Sequence, residues 1–130
     1  MPQILTVLPA VLAVAQLPRD APVPAWATSG DLFCVARTSD ELSVVCPEHL
    51  VPHGVRAEGG WRALKLTGPF EFTLTGVLSS VLPPLADAEV GIFAFSTFDT
   101  DYVMVKTDAL ERAGAALRAA GHTVQDGVAG

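Results

Sequence analysis

Apolar positions along this chain follow two rhythms, and the change from one to the other marks the elements. In "WRALKLTG", Trp61, Ala63, Leu64 and Leu66 carry apolar weight at a period near two, and Gly68-Pro69 stops the run. That pattern predicts a strand. Next, Leu74, Val77, Leu78, Val81, Leu82 and Leu85 recur at three- and four-residue steps, the apolar stripe of a helix. Thr73 or Thr75 suits its start as a cap. Pro83 and Pro84 disturb its last turn, so a kink or tightening is expected there. Gly91 opens a strand, "IFAFST", and "DYVMVK" returns across the turn "STFDTD". Thr107-Asp108 then caps a second helix, with Leu110, Ala113, Ala116 and Leu117 inward and Gly121 at its end. "HTVQ" is a short final edge strand. The order strand, helix, strand, strand, helix, strand is that of a ferredoxin-like sandwich in the α+β class: an antiparallel sheet with two helices on one face.

The first half reads as a degraded copy of that plan. A strand, "AVLAVAQL", leads into the proline-rich "PRDAPVPAW", where a long helix is excluded. A hairpin from Leu32 to Cys46 follows, and then a short segment begun by Pro47. Two modules are expected, a degenerate one over 1–60 and a fuller one over 61–130. On the hairpin, Leu42, Val44 and Cys46 share a face, and Leu32, Cys34 and Ala36 are expected on the same side. The two cysteines read as buried small apolar side chains, with a cross-strand redox pair as the minor alternative.

Composition narrows the class. The 130 residues are 50% apolar and carry a net charge of −6 without any Lys or Arg run, so no electrostatic footprint for nucleic acid exists. The apolar start, residues 1–18, has no Lys or Arg and is cut by Pro2, Pro9 and Pro18, so it reads as strand and not as signal peptide or membrane span. A cytoplasmic location is expected. His49 and His53 stand four apart, but Pro52 and Gly54 break any helix there, and no metal site is expected. His122, just past the helix-ending glycine, reads as a charge near a helix C-terminus. Trp26 and Trp61 read as core or module interface, and Glu111 and Arg112 as a solvated helix face.

Thr75-Gly76-Val77-Leu78, then Pro84-Leu85-Ala86-Asp87-Ala88, then Gly91-Ile92-Phe93 and Ser96-Thr97-Phe98-Asp99-Thr100-Asp101-Tyr102, carry a recognisable signature. The chain resembles the ACT domain in its small tandem form, the bacterial ACT-like proteins related to CASTOR-type cytosolic arginine sensors. The likeness covers nearly the whole chain. It implies two tandem ACT-like βαββαβ modules, the first degenerate, which bind a small effector, often an amino acid, at an interface between modules, without catalysis or cofactor. It also implies self-association, a homodimer being the simplest form. Carried over residue by residue, it points to Gly76, Thr97, Phe98 and Asp101, with Phe70 to Thr75 as a lining loop. Where the arginine sensors place an acidic residue, this chain has Leu74 and Thr75, with Glu71 the nearby carboxylate. A small zwitterion is therefore the ligand class implied.

The chemistry of those residues is compatible with that role. A helix N-terminus offers backbone N–H donors for a carboxylate, and Gly76 permits close approach. Asp99 or Asp101 can accept an ammonium, and Thr97 adds a hydroxyl. The competing reading is a plain turn, since Ser, Thr and Asp favour turns by bonding their own backbone. The candidate set is Phe70, Glu71, Thr75, Gly76, Thr97, Phe98, Asp99 and Asp101. No nucleophile elbow, glycine-rich phosphate loop or paired cysteine and histidine suggests an enzyme. The alternative from another class is a structural or partner-binding module with no ligand.

Overall fold

The computed structural model of the protein describes residues 2–70 and 76–127. The chain forms two compact units, one of residues 1–9 with 62–130 and one of residues 10–61. Residues 1–9, on the first-module side of the 60/61 boundary read from sequence, thus group with the later residues.

In the larger unit, β1 (Ile4–Leu17) contributes its beginning, and β4 (Ala57–Leu66) its end. They are joined by α1 (Val77–Asp87), β5 (Ile92–Ser96), β6 (Asp101–Lys106), α2 (Leu110–Ala119) and β7 (Thr123–Asp126). The strands run β7-β1-β4-β6-β5. The expected order of six elements is present from β4 to β7, but β1 stands between β7 and β4. Ile4 to Val7 pair in parallel with Thr123 to Asp126. On the hairpin β5–β6, Phe95 lies opposite Tyr102 and stacks on it at 5.1 Å.

Leu5 and Val7, Leu64 and Leu66, and Val103 and Val105 alternate along their strands. With Val77, Val81 and Leu85 of α1 and Ala113 and Leu117 of α2 they form one core. Both helices therefore cover one face of this sheet, as the period-two and period-3.6 patterns require. A short 3-10 turn, Thr107–Ala109, precedes α2. The inward row of α2 is Ala113, Gly114 and Leu117, with Leu110 and Ala116 half-buried. Arg112 is exposed but not merely solvated: its guanidinium donates to Ala88 O at 3.1 Å and Glu89 O at 3.4 Å, at the end of α1.

α1 continues through Pro83 and Pro84 to Asp87. The expected caps Thr73 and Thr75 and the first apolar position Leu74 lie outside the described residues. The helix is left through Glu89, at φ 60, where the N–H of Val90 donates to Leu85 O at 2.9 Å. This is the left-handed exit that usually falls to glycine.

In the smaller unit β1, from Ala10 onward, pairs with β3 (Leu42–Pro47), which pairs with β2 (Cys34–Arg37). β1 runs longer than its sequence pattern suggested. Pro9, without an N–H, falls between the residues paired to β7 and those paired to β3, so neither of those two ladders loses a bond there. The prolines of 18–24 leave only a 3-10 turn, Ala25–Thr28, and Arg37 holds that segment through the carbonyls of Arg19 and Ala21. Trp26 packs on a small core of Ala15, Ala27, Val44 and Cys46.

The cysteines correct an expectation. Thr38 N–H donates to Glu41 O at 2.9 Å, closing the hairpin so that Arg37 faces Leu42 and Cys34 faces Val45. Cys34 and Cys46 therefore project from opposite faces, and Val35, not Cys34, joins Val44 and Cys46 in the core. Burial pushes the Cys46 thiol up.

Candidate functional site

Ile92, Ala94 and Ser96 lie opposite Val105, Val103 and Asp101. Because Val103 and Val105 face the helices, Ser96 and Asp101 extend the same row to the end of the hairpin, where it turns polar. Ser96 Oγ donates to Asp101 Oδ1 there. The turn between them is closed by Thr97 N–H donating to Thr100 O at 2.8 Å, reinforced by the Thr97 hydroxyl.

Two further bonds latch this turn to the chain leaving β4. Thr100, buried, donates its hydroxyl to Leu66 O at 2.6 Å, and Phe70 N–H donates to Asp99 O at 2.8 Å. The approach is close enough that a Cβ on Gly68 would stand 2.7 Å from Asp99 O. Glycine is required at that point by space.

Opposite the turn, α1 begins. Gly76 is its N-cap in the left-handed region, φ 87 and ψ −1, and its carbonyl accepts from Ser80 N–H at 3.1 Å. Gly76 has no side chain to cap this end, and among the described residues none is seen doing so. The donors of the first turn, at Val77, Leu78 and Ser79, are those a helix leaves without internal partners. Between turn and helix lies an open cavity of about 350 Å³, lined by Phe70, Gly76, Val77, Leu78, Ser79 and Ser96 to Asp101. All of these residues belong to the unit containing 62–130.

The structure thus brings together Phe70, Gly76, Thr97, Phe98, Asp99 and Asp101 of the expected set. Glu71 and Thr75 lie outside the described residues. Phe98, at the tip of the turn, is 78% exposed. Sequence reasoning missed Ser96, Thr100 and the helix residues Val77 to Ser79. Ser96 was within reach, because a hairpin that places Val103 inward puts residue 96 beside residue 101. Chemically, one wall offers carboxylates and hydroxyls and the other offers the positive end of a helix. Such a site complements a molecule carrying both an ammonium and a carboxylate. Among the described residues, no group of three His, Cys, Asp or Glu side chains is placed to hold a metal ion. Among those same residues, no helix is long and apolar enough to cross a membrane.

Comparison with known proteins agrees with this architecture. An ACT-domain family model matches residues 56–119, and a model of an N-terminal domain matches residues 11–54. No curated protein sequence matches the chain. The crystal structure of Atu0741 from Agobacterium tumefaciens is 37% identical, with a TM-score of 0.93 over 99% of this chain and 96% of that one. VC0802 of Vibrio cholerae, a protein of unknown function, is 13% identical with a TM-score of 0.75, over 91% and 89% of the two chains. E. coli aspartokinase III, solved with aspartate and ADP, is 13% identical with a TM-score of 0.64, over 90% of this chain and 33% of that one. The last two likenesses, at such identity, show a shared fold. The chain therefore carries an ACT domain over residues 56–119 and is a relative of Atu0741 along its full length.

Proposed function

We propose that this protein is a regulatory, non-catalytic binder of a small zwitterion, an amino acid or near analogue, held in the cavity between α1 and the β5–β6 turn. The observation that carries the reading is the cavity that sets the start of α1, opened by left-handed Gly76, across from Asp99 and Asp101. The ligand carboxylate is placed against the first-turn N–H groups, and its ammonium against Asp101, whose Oδ1 Ser96 holds in place. Phe70 and Phe98 flank its side chain. In this proposal Glu71 and Thr75, which precede Gly76 in the sequence, supply a further carboxylate and hydroxyl. ACT domains are regulatory modules, which accords with binding in place of turnover.

In this reading the halves 1–60 and 61–130 are tandem modules, akin to those of the arginine sensors, in a cytoplasmic protein that self-associates as a homodimer. The ligand acts by its differential affinity for two arrangements of the protein. A second reading, a partner-binding module without a ligand, draws on Phe98, an aromatic side chain left 78% exposed at a turn tip.

The test is a thermal-shift screen of the twenty amino acids on wild type and Asp101→Asn. Asn keeps an acceptor for Ser96 and removes the charge. Ligand at a hundredfold excess over Kd stabilises by about 2.7 kcal/mol. A shift with one or a few amino acids that disappears in the variant is expected. A cooperative melt that no amino acid moves refutes the reading in favour of the partner-binding module.

A further inference from the structure

We infer that His122 is a positioning residue for the cavity: it supplies the hydrogen-bond donor that Pro84 removes from α1, and thereby holds the helix turn that forms one cavity wall. In an unbroken helix the Ser80 carbonyl would accept from the N–H of residue 84, and proline has none. His122 Nε2 stands 2.8 Å from that carbonyl oxygen. The other ring nitrogen, Nδ1, accepts the Gln3 backbone N–H at 2.9 Å. A backbone N–H can only donate and a carbonyl can only accept, so the ring carries its proton on Nε2 and a lone pair on Nδ1.

Everything around the ring is held. His122 and Gln3 are each 6% exposed. The His122 N–H donates to Leu117 O at 3.0 Å, directly after left-handed Gly121. From Ser80 the connection continues to the cavity wall. Ser80 N–H donates to Gly76 O at 3.1 Å and Ser80 Oγ donates to Val77 O at 2.8 Å, and both acceptor residues line the cavity. A ring anchored on Gln3, just before β1, and on the turn before β7 thus sets where the first turn of α1 lies. The part of this inference that concerns a ligand rests on the proposed function; the part that concerns the helix does not.

The experiment uses the full chain. His122→Asn keeps an acceptor near the place of Nδ1 for Gln3 and loses the reach to Ser80. Pro84→Ala restores an N–H for the Ser80 carbonyl. Amide exchange read by NMR should speed about tenfold at Ser80 and Val81 in H122N relative to Ala113 and Leu117 of α2, the loss expected for one missing buried bond. In the P84A background the same H122N change should have little local effect, a coupling a merely structural histidine would not show. Uniform acceleration of both helices, or equal H122N effects in both backgrounds, overturns the inference. Should H122N not fold, ring 15N shifts of wild type decide: a proton on Nδ1 overturns it.

The ligand arm repeats the amino-acid screen. Affinity lowered about tenfold in H122N and recovered in H122N/P84A supports the positioning role, at one bond's worth of free energy. Unchanged affinity removes the cavity from the inference. If wild type binds no amino acid, the proposed function fails while the exchange arm still decides the role of His122.

Discussion

Thr100→Val isolates the latch between the β5–β6 turn and the end of β4. Valine keeps the outline of threonine and deletes the hydroxyl that donates to Leu66 O at 2.6 Å from a residue 6% exposed. Loss of one partner of a buried hydrogen bond costs about 1–3 kcal/mol, because the remaining acceptor has given up water and gained nothing. Unfolding entropy near 2.1 cal/mol/K per residue converts that, over this length, to a fall in Tm of about 4–11 °C. Calorimetry reads the fall, and urea unfolding should show a lower midpoint at unchanged slope. Thr100→Ser, which keeps the hydroxyl and loses one methyl, should fall less. A T100V protein melting within about 1 °C of wild type, or T100S and T100V falling equally, would refute the view that this hydroxyl fastens the turn.

Glu89→Gly should stabilise the protein by about 0.5–1 kcal/mol, since an L side chain at φ 60 carries strain that glycine avoids at the cost of some chain entropy; a lower Tm would contradict it. Non-reducing mass analysis after mild oxidation should find no Cys34–Cys46 disulfide, the two thiols being on opposite faces. Burial holds the Cys46 thiol above its ordinary value of 9.0, so the fold favours its protonated form. Its contribution to stability is complete below that pH and is lost as pH climbs above it. The urea midpoint of wild type should therefore decline above about pH 9 more steeply than that of Cys46→Val, and parallel curves would dismiss the effect.

The second half was legible because its elements are local. Alternation in 92–96 and 101–106 and the three-and-four spacing of Val77, Val81 and Leu85 each encode a face, and the faces meet as their periods require. What escaped depends on distant pairings. Pro9 looked like a strand breaker because nothing near it tells that β1 changes partners there. The role of His122 depends on Gln3, 119 residues away, and on Ser80, 42 away. The face of Cys34 turned on a closing bond at Thr38, where a shift of one residue exchanges the sides. The candidate site was legible in its turn and its glycine, while Ser96 and Thr100 gained their places only from hairpin register and the latch to β4.

The pairing of Ile4 to Val7 with Thr123 to Asp126 has a consequence for how the chain comes to be folded. The hairpin of residues 34–47 is available to a growing chain as soon as it emerges. The larger unit is not, because one edge of its first strand waits for its last. Until synthesis has passed Asp126, the apolar Leu5 and Val7 have no completed core to enter, and an unpaired strand edge stays available to other chains. Loop closure over such a distance is slow as well as late. An edge left open for that long is a route to association between growing chains, and a chaperone that shelters residues 4–7 would close it.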